Sequence, residues 1–516
     1  MKRIVNAFGE LNWRKRASAV FALSAMTAMA ASAQTLTTLY SFDGGDGEGV
    51  NPVGSLVESN GNFYGTTLNG GNSYGGTVFE VTPAGTLTTL YDFCFQAGCA
   101  TGLYPSALIH GANGNFYGTT ELYGANLGGT VFRITPSGKL TVVYSFCAIT
   151  ACADGESPSS LIQAKNGSFY GTTASGGANR SGTVFEVTPA GELTTLYNFC
   201  SLSGCADGFN ALSGVIEGKD GNFYGTTEFG GITNANCPSG CGTVFKITPS
   251  GTLTTLHSFD FTDGMQVQAG LVQGSNGKFY GTANEGGADG YGTVFEITSG
   301  GSFTTLHNFQ WTDGANPDGA LIQGSNGTFY GTTSGGTNSN AGTVFEITPD
   351  GELATLYDFC SQSDCTDGDR PVGALVQGTD GNFYGTTILG GTNNDGTIFE
   401  LLPANPNIVA DCNIANSSSG LPPYRGSCGI TNQGSGEAYD IRVSSVTIST
   451  GSCTYKAPIE DLTAGQSESF PISCTVNAVC NESYTLTIDG TVVGGQFSGS
   501  STFVFCTAGT PVSGTR

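Results

Sequence analysis

An all-β fold is what this 516-residue sequence predicts: a seven-bladed β-propeller closed by an N-terminal strand, followed by a small Ig-like β-sandwich. Three observations carry that expectation. The string Phe-Tyr-Gly-Thr recurs at Phe63, Phe116, Phe169, Phe223, Phe279, Phe329 and Phe383, at spacings of 53, 53, 54, 56, 50 and 54 residues. The last repeat ends one strand short, while a spare strand, Leu36-Thr37-Thr38-Leu39-Tyr40, precedes the first. Finally, 81 Gly and only 11% charged residues are poor material for helices. A hydrophobic content of 38% still suffices for packed cores and argues against disorder.

Residues 1–33 read as a secretory signal peptide. Lys2, Arg3, Arg14, Lys15 and Arg16 precede an apolar run over residues 17–30, and Ala31-Ser32-Ala33 supplies the small-x-small cleavage pattern. The run is too short for a membrane span, which needs about 20 residues. Without the segment the chain carries 12 Lys and Arg against 40 Asp and Glu. An exported, acidic protein without a membrane span is expected. Nucleic acid is excluded as a partner, because its phosphates demand clustered Lys and Arg.

Residues 34–403 form the predicted propeller. Within one repeat, Ala320-Leu321-Ile322-Gln323 reads as a first strand and Phe329-Tyr330-Gly331-Thr332-Thr333 as a second. Gly342-Thr343-Val344-Phe345-Glu346-Ile347 gives a third and Leu353-Ala354-Thr355-Leu356-Tyr357 a fourth. The turns between them carry Asn-Gly and Asp-Gly, the strongest short hairpin signals. Four strands in about 50 residues, repeated four to eight times, is a propeller pattern. The final unit stops at Gly396-Thr397-Ile398-Phe399-Glu400, so the spare front strand is expected to complete it and remove the open edges.

The Phe-Tyr-Gly-Thr-Thr…Gly-Gly…Gly-Thr-Val-Phe-Glu-Ile-Thr-Pro-x-Gly pattern resembles the GloVer tandem repeat of "choice-of-anchor" bacterial surface proteins, over roughly residues 35–403. The resemblance implies an extracytoplasmic location, whether periplasmic, cell-surface or released, and supplies no catalytic residues. The terminal stretch, residues 511–516, carries no hydrophobic anchor tail.

Residues 404–516 alternate in short β-runs and fit a β-sandwich. The stretch Thr431-Asn432-Gln433-Gly434-Ser435-Gly436-Glu437-Ala438 is similar to Ig-like modules of bacterial surface proteins. Cys412, Cys428, Cys453, Cys474, Cys480 and Cys506 allow three disulfides, with 15 pairings open. In the propeller the cysteines form local pairs: Cys94/Cys99, Cys147/Cys152, Cys200/Cys205, Cys360/Cys365 and Cys237/Cys241. Zinc sites also use short Cys spacings, but the export signal and the placement of each pair in its own blade favour disulfides. In Cys-free units an Asp follows the strand-four Phe by four residues, as in Phe259…Asp263; in Cys units it follows by eight, as in Phe199…Asp207. The Cys-x4-Cys pairs therefore staple a four-residue insertion, each contributing about 2 kcal/mol by loop-closure entropy.

Alternating strand directions sort the loops onto two faces. The long second-to-third loops and the blade-to-blade loops share the top face, where scaffolds usually place function. These loops carry many carboxylates, among them Asp43, Asp46, Glu48, Asp263 and Asp313, against Arg180 and Arg370 alone. Such crowding calls for a cation or a basic partner. Asp43, Asp46 and Glu48 form the densest acidic loop and are candidate calcium ligands, calcium preferring oxygen donors. Candidate ligand-binding residues are the aromatics Trp311, Phe261 and Phe209 with the loop acids Asp313, Asp263 and Asp207, since exposed aromatics stack on sugars or anchor proteins. The second-to-third loop over residues 228–241 is longer than its counterparts.

His257 and His307 replace a strand-four Tyr and read as packing substitutions, and no His is placed for a Ser-His-Asp site. Three functions are weighed. A non-enzymatic binding or adhesion propeller for a glycan, cation or basic protein fits best. A polysaccharide hydrolase or lyase using top-face carboxylates comes second, and a passive surface protein third.

Overall fold

The computed structural model describes residues 36–402 except 46, 96–97 and 338, and seven further backbone strands between residues 408 and 504. The expected signal peptide lies outside the described residues, as does Asp46. Over residues 36–402 seven antiparallel sheets of four or five strands follow one another, making a seven-bladed β-propeller. The third blade is typical, with strands Glu156–Gln163, Phe169–Ser175, Thr183–Val187 and Leu193–Asn198 from first to fourth. Among the described residues there is no α-helix, only one-turn 3-10 segments at Thr150–Cys152, Ser203–Cys205 and Ser363–Cys365. The last sheet draws Val376–Gln377, Phe383–Thr387 and Thr397–Leu401 from the final repeat and a fourth strand, Leu36–Ser41, from the front of the chain. Leu36 sits opposite Leu401 and Ser41 opposite Thr397.

Every residue of the repeated Phe-Tyr-Gly-Thr-Thr string has a packing role. The buried Tyr of one blade lies against the Phe of the next: Tyr64 on Phe116, Tyr117 on Phe169, Tyr170 on Phe223, at ring-centroid distances of 4.3, 4.1 and 4.1 Å. The same contact continues to Tyr384 of the seventh blade, whose ring is 4.0 Å from Phe63 of the first. The Gly faces the third-strand Phe of its own blade. A Cβ on Gly331 would sit 2.6 Å from Cζ of Phe345, closer than carbon atoms can approach.

The first Thr hydroxyl donates to a carbonyl in the innermost segment of the following blade, as in Thr66 Oγ1 to Ser106 O at 2.9 Å. The series ends with Thr386 Oγ1 donating to Gly54 O at 3.4 Å. The second Thr meets a third-strand Thr hydroxyl, as in Thr173 and Thr183 at 3.0 Å. In the fifth blade Ala283 stands there, and Thr293 Oγ1 donates to Asp263 O at 2.9 Å instead. Satisfying these buried polar groups across blade boundaries avoids a penalty of about 1–3 kcal/mol for each orphan.

A second set of contacts runs round the opposite, bottom rim. Gln163, Glu217, Gln273, Gln323 and Gln377 each accept a backbone N–H from the turn of the preceding blade, and Glu58 does so from Thr379 at 3.0 Å. His110 occupies this position in the second blade and packs on Phe116, 5.2 Å away. The sequence therefore specifies blades that adhere to their neighbours by a repeated chemistry, which is how quasi-repetitive folds gain stability.

Beyond residue 407, Ile408–Ala415, Tyr424–Asn432, Ser467–Val476 and Gly451–Tyr455 form one antiparallel sheet in that order. Arg442–Ile448, Ser483–Val492 and Gly495–Val504 form another. Register sets Cys412 opposite Cys428 and Cys453 opposite Cys474. Cys480 and Cys506 lie outside the described residues.

Candidate ligand-binding face

On the top face the loops interlock. The loop after each fourth strand accepts a backbone N–H from the second-to-third loop of the next blade: Gly124 N to Cys99 O at 3.1 Å, Gly177 N to Cys152 O at 2.8 Å, Gly231 N to Cys205 O at 3.0 Å. Glu48, Phe261, Trp311 and Cys365 supply the equivalent carbonyls to Gly71, Gly287, Thr337 and Gly391. Phe261 and Trp311 thus stand where other blades place the second cysteine of a staple.

Nearer the axis, Asn51, Tyr104, Ser157, Asn210, Gln266, Asn316 and Arg370 occupy equivalent positions and all adopt φ between 54° and 60°. Left-handed backbone at a non-Gly residue costs of order 1 kcal/mol or more. What offsets it is visible in each case: the residue's N–H donates to the preceding blade, as in Asn210 N to Ser181 O at 3.2 Å. Its carbonyl can also accept from the residue just past its own second strand, as in Glu228 N to Asn210 O at 3.1 Å.

The five local cysteine pairs are disulfides: Cys94–Cys99, Cys147–Cys152, Cys200–Cys205, Cys237–Cys241 and Cys360–Cys365. Inside the stapled loops the expected binding acid Asp207 is fully buried. Its carboxylate accepts from Tyr197 Oη and Ser201 N at 2.8 Å each and from Leu202 N at 3.1 Å. Asp154 and Asp367 repeat the arrangement with Tyr144 and Tyr357. Burial and the neighbouring carboxylate push the Tyr197 hydroxyl up to about 12.

In two of the three unstapled loops His replaces Tyr. His257 Nε2 meets Asp263 Oδ2 at 2.8 Å, and His307 Nε2 meets Asp313 Oδ2 at 3.0 Å. These histidines are more than the packing substitutions expected from sequence: each holds the aspartate that shapes its loop. The structure thus gives Asp207, Asp263 and Asp313 intramolecular partners. Among the aromatics, Phe209 is half-buried with its ring 5.4 Å from Phe229, and Phe261 is half-buried against a core cluster. Trp311 is 40% exposed, its ring meeting Tyr291 edge-on with centroids 5.5 Å apart.

Of the expected calcium ligands, Asp43 and Glu48 lie together. Burial, with a hydrogen bond to Asp43 adding to it, raises the Glu48 carboxyl to about 7, while the same bond lowers Asp43. Two carboxyls sharing one proton in this way are a pair that a cation could displace the proton from. Among the described residues, the group of three converging donors is Cys147, Cys152 and Glu156. Its two sulfurs are bonded to each other, which removes the thiolates a metal would need.

Sequence reasoning missed a polar network near the axis on blades four to six. Glu228, 8% exposed, accepts from Asn210 and from Gln268 Nε2, the latter at 2.9 Å. On the next blades Asn284 Nδ2 donates to Asp318 Oδ1. Burial raises both the Glu228 and Asp318 carboxyls. The available signal was the variability of this position, which holds Leu68, Glu121, Ala174, Glu228, Asn284, Ser334 and Ile388 in successive repeats.

Charge divides between the faces. The Lys–carboxylate ion pairs among the described residues lie toward the bottom face: Lys165–Glu217 at 3.4 Å, Lys246–Asp220 at 2.9 Å and Lys278–Glu296 at 2.7 Å. No described helix is long and apolar enough to cross a membrane.

No curated protein sequence matches the chain. Solved structures with a similar outline include a puromycin hydrolase, with 10% identity over 77% of this chain and 62% of that one and a TM-score of 0.44. A puromycin-hydrolyzing peptidase of Mycobacterium tuberculosis has 10% identity over 77% and 61%, at 0.44. An ulvan lyase, representing a new polysaccharide lyase family, has 9% identity over 69% and 94%, at 0.37. The chain thus spans about three fifths of the length of the two hydrolases. In sequence, the Gloeobacter/Verrucomicrobia repeat matches residues 17–237, 149–323 and 229–452. The repeats that build these seven blades place the chain in the Gloeobacter/Verrucomicrobia repeat family.

Proposed function

We propose that this is an exported binding protein whose propeller holds a ligand on its top face without transforming it. Residues 1–33 serve as its signal peptide, Leu36–Ser41 closes the ring, and residues 404–516 form an Ig-like sandwich. The observation that carries the reading is the use made of the chemically capable loop groups. Asp154, Asp207 and Asp367 accept from loop N–H groups, and both top-face histidines hold aspartates. What remains exposed on that face is mainly acidic and apolar surface, including Trp311, with Arg180 and Arg370, on loops locked to one another. Preformed surfaces of this kind suit binding, since little ordering cost remains. Glycans, a basic protein and calcium at Asp43, Asp46 and Glu48 are the ligand classes that fit.

The test is to incubate the chain from residue 34 onward with soluble polysaccharides and a lysine-rich protein, following retention and product release together. Retention without product is the expected result. A second reading rests on Glu228 and Asp318, whose raised carboxyls on nearby blades resemble what acid catalysis needs. Sugar release that is lost in Glu228→Gln would establish that reading and overturn the first.

A further inference from the structure

We propose that the top rim of blades one to four is a docking surface for a cationic, amphipathic polypeptide. The inference rests on the binding reading above and names the partner's chemistry.

Its first support is a series of exposed apolar side chains on one rim. Phe95, Ile149 and Leu202, at 72, 54 and 55% exposure, project from three successive disulfide loops. Between and beyond them stand Tyr123, Leu127 and Ile232, also exposed, on second-to-third loops. Their loops touch. Gly124 N donates to Cys99 O at 3.1 Å, and Gly231 N to Cys205 O at 3.0 Å. Gly128 leaves no room for a Cβ beside the Cys147 sulfur. Exposed apolar side chains grouped on one rim of a folded protein mark an interaction site more often than isolated residues do.

The second support is rigidity. A loop that exposes Ile or Leu by accident would be expected to turn it inward. In the second and third of these loops the disulfides, with Asp154 receiving Ile149 N at 3.2 Å and Asp207 receiving Leu202 N at 3.1 Å, hold Ile149 and Leu202 outward; in the first, Phe95 follows Cys94 of the Cys94–Cys99 disulfide. A partner would meet side chains already in place, so little ordering entropy opposes binding.

Charge selects the partner. Asp92, Glu121 and Glu156 stand on the strand ends and loops of these blades, against Arg180 on the loop between Ile149 and Leu202, and the Lys–carboxylate pairs of the described residues lie toward the opposite face. A second copy docking through the same rim would set acid against acid, and an anionic lipid surface would be repelled likewise. Lys or Arg side chains flanking apolar ones match both components.

The experiment titrates the disulfide-bonded chain from residue 34 onward with a short amphipathic Lys/Leu peptide. A Lys/Ser peptide of equal charge, a neutral polysaccharide and anionic vesicles serve as comparisons. The Lys/Leu peptide is expected to bind, more weakly as salt rises, and at least about tenfold more weakly to Phe95→Ser/Ile149→Ser/Leu202→Ser. The single variant Leu202→Lys, at an exposed tip, is expected to weaken it too while melting like the parent. Equal binding of the Lys/Ser peptide with indifference to both variants overturns the proposal, as does preference for vesicles or self-association through the rim. Retention of the polysaccharide without affinity for the Lys/Leu peptide overturns this inference alone. Retention of no ligand overturns the binding reading as well.

Discussion

Gly331 shows how tightly single residues are specified. A Cβ there would meet Cζ of Phe345 at 2.6 Å and Cδ2 of Leu321 at 2.7 Å, both in the core. Gly331→Ala should therefore destabilise the blade by about 1–3 kcal/mol through overpacking, read as a lower urea midpoint. Glu48 makes a pH prediction. Its carboxyl titrates near 7 in the folded chain and near 4.5 when exposed, so the folded state binds the extra proton between those values. That stabilisation is complete below the lower value and is lost as pH rises through 7. Thermal melts of Glu48→Gln should then depend less on pH between 5 and 8 than those of the parent, with the variant gaining most at pH 8. Much of the residue scale was legible in the repeats, including each local disulfide and the shifting Phe…Asp offset. The Asp's role was not, because its partners are backbone N–H groups and a strand-four Tyr or His that only a folded loop brings together.

Among elements, Leu36–Ser41 has the clearest consequence. It supplies the fourth strand of the seventh blade, and Phe42 behind it packs on Phe79 of the first at 5.6 Å. A chain beginning at Phe42 should melt well below the parent and self-associate, since Thr397–Leu401 would become an open edge; light scattering during the melt would register both effects. In the C-terminal segment, register sets Cys412 across from Cys428 and Cys453 across from Cys474, a spacing compatible with disulfides. Peptide mapping without reduction should recover those two pairs, leaving Cys480 to join Cys506. Strand identities followed from hairpin signals at Asn-Gly and Asp-Gly. The pairing of cysteines did not, because sequence gives spacing along a chain and not which strand lies beside which.

Across the whole molecule, the same five-residue string both builds a blade and attaches it to the next. Tyr384 on Phe63 and Thr386 on Gly54 repeat between the seventh and first blades what Tyr64 and Thr66 do between the first and second. The period of the repeat revealed the number of blades, whereas the contacts between blades join residues about one repeat apart and were invisible to local pattern. Acidic crowding of the top loops was also legible, but the exposed apolar side chains among them were not, since exposure of Phe95 or Leu202 is decided by loop geometry. Hydrogen–deuterium exchange of the disulfide-bonded chain, with and without the Lys/Leu peptide, tests top-face binding most directly. Slowed exchange confined to the loops bearing Phe95, Ile149 and Leu202 and their second-to-third neighbours is the predicted result. Protection at the bottom turns beside Lys165 and Lys278, or no protection at saturating peptide, would contradict it.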